Sequence, residues 1–114
     1  MKSIRIDSKS VMVDVPWWFG LVKGFVVSYL KTNKEHLVDI LSYYVNSGID
    51  QGLSKIIEEI NQIPNHSLFQ KAIRWLFLDF VKKNLGIISS YLSQYTPQGA
   101  RVVVEKLIEL IERL

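Results

Sequence analysis

The chain has 114 residues, no cysteine and a formal net charge of +3, with a sequence pI of about 9.2. That length gives one domain, residues 1–114, able to bury roughly two-thirds of its unfolded surface; the absence of thiols excludes a disulfide framework and a cysteine zinc site and favours the cytoplasm. The charge tolerates a polyanion without requiring one, and a hydrophobic fraction of 48% sends apolar surface into a dense core, an oligomer interface or a lipid surface.

Residues 1–15 read as a β-hairpin. Ile4 and Ile6 alternate with Ser3, Arg5 and Asp7, and Val11, Val13 and Val15 repeat the period of two. The intervening "DSKS" supplies turn residues. A lone hairpin is marginal in water, so this one must lie on the helices or pair with another chain.

From residue 16 onward the pattern is helical, giving a mainly α fold: a bundle of about five helices behind the hairpin. Asp14 and Pro16 signal a first helix from about Trp17 to Lys31. Its 16 residues from Val15 to Leu30 carry Lys23 in the middle. A span needs about 20 apolar residues, and a central lysine costs roughly 3 kcal/mol on insertion, so crossing a membrane is not expected. On a helical wheel Trp18, Leu21, Val22, Phe25 and Tyr29 share a face that reads as core. Trp17 and Trp18 cannot share one face, so one of them belongs at a rim or interface. Gly20 and Gly24 imply either a close backbone approach or two weak helix positions.

"TNKE", Thr32 to Glu35, reads as a capping box that opens a second helix running to about Asn46, with Gly48 as its stop. A third helix carries Leu53, Ile56, Ile57 and Ile60 on one face, and Pro64 closes it. "SLFQ", Ser67 to Gln70, is a second capping box. It starts a helix over 68–84 that is apolar nearly all round and either stops at Gly86 or runs on to Tyr95. Thr96-Pro97 starts the last helix. There Val103, Leu107, Leu110 and Leu114 form an apolar stripe, opposite Arg101–Glu105 and Glu109–Arg113 pairs at i,i+4. That stripe faces the core or a partner helix.

Catalytic signatures are missing: there is no HExxH, P-loop, GxGxxG or nucleophile elbow. Only two histidines occur, His36 and His66, and no metal or cofactor is expected from them. Asp79, inside "WLFLDFVKK", is either a desolvated acid or the partner of Lys82 or Lys83. The expected function is a non-catalytic interaction or assembly module that self-associates, as a dimer or larger, or serves as a small subunit of a larger complex. Its candidate interface residues are Trp17, Trp18, Val103, Leu107, Leu110 and Leu114. The alternative is nucleic-acid binding through the basic face of the 68–84 helix, where Lys71, Arg74 and Lys82 would meet phosphates and Trp75 would stack on a base.

Overall fold

The computed structural model describes residues 2–44 and 46–114. It is mostly helical, with a two-stranded antiparallel hairpin at the start, as the sequence pattern predicts. Strands β1 (Lys2–Ile6) and β2 (Lys9–Val13) pair with Ile4 opposite Val11. Both residues are buried with Ile6 and Val13. The turn is shorter than the expected "DSKS". Asp7 and Ser8 alone form it, at φ 51° and 67°, and Lys9 and Ser10 are already in β2. Positive φ at both central residues is the type I′ form of a two-residue hairpin turn, which aspartate tolerates because its short polar side chain can bond nearby. Here the Asp7 carboxylate accepts from Ser90 Oγ at 2.9 Å and Gln94 Nε2 at 2.6 Å. Those bonds lay the hairpin on the helices.

The helices are α1 (Phe19–Thr32), α2 (Lys34–Tyr44), α3 (Ile49–Asn61), α4 (Leu68–Arg74), α5 (Leu85–Ser93) and α6 (Ala100–Glu112). Residue 45, over which the second helix was expected to run, lies outside the described residues. A π-helical segment, Trp75–Val81, continues α4, and a short 3-10 turn, Thr96–Gln98, precedes α6. The Ser67 capping box forms as expected, with Gln70 N–H donating to Ser67 Oγ and Ser67 N–H donating to Gln70 Oε1. The Thr32 box does not form. Thr32 ends α1, and Asn33 makes the junction instead: its Nδ2 and its N–H both donate to Tyr29 O. Asn84 repeats this device, donating from both groups to Phe80 O. The break after the fourth helix therefore falls at Asn84, and Gly86 lies inside α5. In both places the next helix starts at once, because the asparagine carbonyl accepts from Leu37 N–H or Ile88 N–H.

The core is hydrocarbon throughout. Phe19, Phe77, Phe80, Leu41, Leu53 and Leu92 are among its fully buried side chains, and no described polar or charged residue is buried with them. Helix α6 packs on α1 and α2. An ion-pair seam runs over that packing, with Lys31 to Glu112, Lys34 to Glu105 and Arg101 to Glu35. The Arg101–Glu105 pair expected within α6 gives way to these, and Glu109 pairs with Lys106 of the same helix rather than with Arg113. Arg101 and Glu105 both reach across to α2, which packs against this helix and offers opposite charges.

Candidate interaction surface

Helix α1 positions the most exposed apolar group in the fold. Phe19 N–H donates to Pro16 O at 3.0 Å and Leu21 N–H to Trp18 O at 3.1 Å, so the turn before α1 is already helical. Phe19 drives into the core, its ring centroid 4.9 Å from that of Trp75. With about 100° per residue, fixing Phe19 inward turns Trp17 outward. Trp17 is 84% exposed, Leu21 66% and Phe25 70%. These three follow each other at steps of four and make one stripe. Gly20, Gly24 and Ser28, all exposed, make a parallel stripe beside it. Among the described residues, no atom beyond the chain neighbours and the helix's own backbone lies within 4 Å of a Cβ built on either glycine.

This corrects the expected core face of α1. The buried residues are Phe19, Val26 and Leu30, with Trp18, Val22 and Tyr29 half-buried; Leu21 and Phe25 face out. An apolar helix carries more than one stripe that could be buried, and packing against α4 and α6 selects among them. The two tryptophans do separate, Trp17 outward and Trp18 against the core. An apolar cleft of about 400 Å³ opens at the end of the outward face, lined by Phe25, Ser28, Tyr29, Thr32, Asn33 and Phe69.

The stripe on α6 is placed differently. Val103, Leu107, Leu110 and Leu114 are buried in the chain's own core. Of the two faces the sequence offered for this stripe, these side chains lie on the one turned to the chain's own core.

The basic candidates are only partly brought together. Lys71, Arg74 and Trp75 line one cleft of about 270 Å³ with Trp18 and Asp79. Lys82 is exposed but does not line it. The π-helical segment intervenes, and its wider i→i+5 turn rotates the residues that follow relative to an α-helical wheel. Arg74 is already engaged: its guanidinium donates to Asn61 O at 2.7 Å and Ile63 O at 2.9 Å, satisfying carbonyls at the end of α3. Trp75 is half-buried against Phe19.

Asp79 pairs with Lys83 at 3.4 Å, both half-exposed or more, so the ion-pair reading of this acid holds and the desolvated-acid reading does not. The pair lines a groove of about 620 Å³ between β2 and the π-helical segment, with Met12, Asp14, Pro16 and Trp75. His36 bonds Glu59 at 2.9 Å. Among the described residues no group of three His, Asp or Glu side chains could hold a metal ion, and no helix is long and apolar enough to cross a membrane. Comparison of the chain with protein-family models, curated proteins and solved structures finds no match to any of them.

Proposed function

We propose that this protein is a non-catalytic interaction module that associates with itself through the outward face of α1, alone or as a small subunit of a larger assembly. The observation that carries the reading is the exposed apolar stripe formed by Trp17, in the turn that leads into α1, with Leu21 and Phe25 on α1. Those three side chains leave roughly 450 Å² of apolar surface in water, within the size range of patches that mark interaction sites. At about 25 cal/mol per Å², covering such a patch is a substantial driving force. Tryptophan is a common anchor residue of protein interfaces.

Sedimentation velocity across a hundredfold concentration range tests it. The wild-type chain should shift from monomer toward a larger species, and a Trp17→Ser/Phe25→Ser variant should stay monomeric with an unchanged circular dichroism spectrum. A wild-type chain that stays monomeric at the highest concentration defeats the reading. The nucleic-acid alternative draws support from one arrangement only, Lys71 and Trp75 in a shared cleft. It loses Arg74 to the end of α3 and puts an acid, Asp79, into the same cleft. Phosphate binding is disfavoured by that carboxylate.

A further inference from the structure

Resting on that reading, we infer that the partner is a second copy held in one register: two α1 helices antiparallel about a two-fold axis, with Trp17, Leu21 and Phe25 of each copy seated on Ser28, Gly24 and Gly20 of the other. The outward face is a ridge at positions 17, 21 and 25 beside a groove at positions 20, 24 and 28. Adjacent i±4 rows of large and small residues are the surfaces that interdigitate when helices pack ridge into groove. In an antiparallel pair, residues whose numbers add to a constant face each other. At a sum of 45 the facing pairs are 17 with 28, 20 with 25 and 21 with 24, and each sets a large side chain against a small one. A parallel pair would set Trp17 against Trp17 and Gly24 against Gly24. That crowds one end and leaves voids at the other, which close packing disfavours.

Two further features fit this arrangement. The apolar cleft bordered by Ser28, Tyr29 and Phe69 lies where the indole of the other copy's Trp17 would arrive, and its 400 Å³ can admit that side chain. Gly20 and Gly24 cost about 1 kcal/mol each inside a helix relative to alanine, yet nothing within the chain approaches them. A helix from outside gives both of them a use.

Both copies together would bury on the order of 900 Å² from the three ridge residues alone, and the exposed Gly20, Gly24 and Ser28 take the total past the roughly 1,000 Å² of a specific interface.

Cysteine cross-linking tests the register, since the chain has no native cysteine. Leu21→Cys and Gly24→Cys proteins, mixed under mild oxidation, should give the mixed disulfide several-fold faster than either forms a disulfide with itself. A disulfide tolerates Cα separations of about 4.4–6.8 Å, and a three-residue offset adds about 4.5 Å along the axis. Gly24→Leu alone should weaken the dimer about tenfold or more by filling the groove opposite Leu21. Adding Leu21→Gly restores a large side chain facing a small one, and with it most of the affinity. A dimeric wild type whose Gly24→Cys form cross-links to itself fastest, or whose double variant stays as weak as the single one, overturns the register while leaving self-association intact. A monomeric wild type overturns both.

Discussion

Arg101 on α6 holds both carboxylate oxygens of Glu35 on α2, with Nη2 to Oε2 at 2.8 Å. This fork joins two helices that are 66 positions apart in sequence. The hydrogen bond from Arg101, with its positive charge, holds the Glu35 carboxyl below the usual 4.5. The Lys34 ammonium does the same for Glu105. A carboxyl depressed in the folded state contributes stability that is present above its unfolded value and is lost as pH falls through the lower folded value. Arg101→Ala should therefore lower the urea midpoint at pH 7, and the difference from wild type should vanish well below pH 4.5. It should also shrink in molar salt, because the pair is exposed. A difference that persisted in acid would place its origin in packing.

Ser8 sits at φ 67°, in the left-handed region. Ser8→Gly removes a left-handed strain of about 1 kcal/mol and should raise the melting temperature by roughly 4 °C. Asp7→Gly, one residue earlier, also relieves strain but loses the bonds from Ser90 and Gln94. It should lower the melting temperature. Thermal unfolding followed by circular dichroism separates the two.

Two helical glycines should respond with opposite sign to alanine. A Cβ on Gly52 would lie 2.5 Å from Leu41 Cδ2, and Leu41 is fully buried, so its methyl cannot swing away freely. Gly52→Ala should cost about 1–2 kcal/mol in urea denaturation. Gly86 has nothing within 4 Å and lies in α5, so Gly86→Ala should stabilise by about 1 kcal/mol. Equal effects at the two sites would contradict the α2–α3 contact.

Asn84 ends one helix and starts the next through its bonds to Phe80 O. Asn84→Ala removes the side-chain bond and should cost about 1 kcal/mol. Asn33→Ala should behave alike, since the device is the same. Chemical denaturation of both variants checks whether the two junctions are energetically equivalent.

Much of this fold is legible wherever a segment has a single apolar face. The hairpin alternation, the α3 residues Leu53, Ile56, Ile57 and Ile60, and the Ser67–Gln70 box are each read from local spacing and appear as read. Helix α1 is not legible in that way. It is apolar on most sides, and only the positions of α4 and α6 decide that Val26 goes in and Phe25 stays out. The ions of α6 are a similar case: spacing names partners within a helix, but a neighbouring helix can outbid them, as Glu35 does for Arg101. The π-helical turn from Trp75 to Val81 has no residue signature of its own, and it displaces Lys82 from the cleft of Lys71 and Arg74. The candidate surface was half legible. Trp17 is marked by its neighbour Trp18, while Leu21 and Phe25 pass for core until the helix is docked.

Among the described residues, the buried side chains carry no polar atom. The interior therefore distinguishes its residues by volume and shape and by nothing else. Such interiors accept many simultaneous exchanges among leucine, isoleucine, valine and methionine if total volume is kept. Positions such as Leu53, Ile56 and Ile73 are free to drift in identity over time. Gly52, held against Leu41, is an exception inside that interior, and outside it the positions that cannot drift cheaply are Asn33, Asn84, Asp7 and the Glu35–Arg101 fork, where direction as well as size is specified.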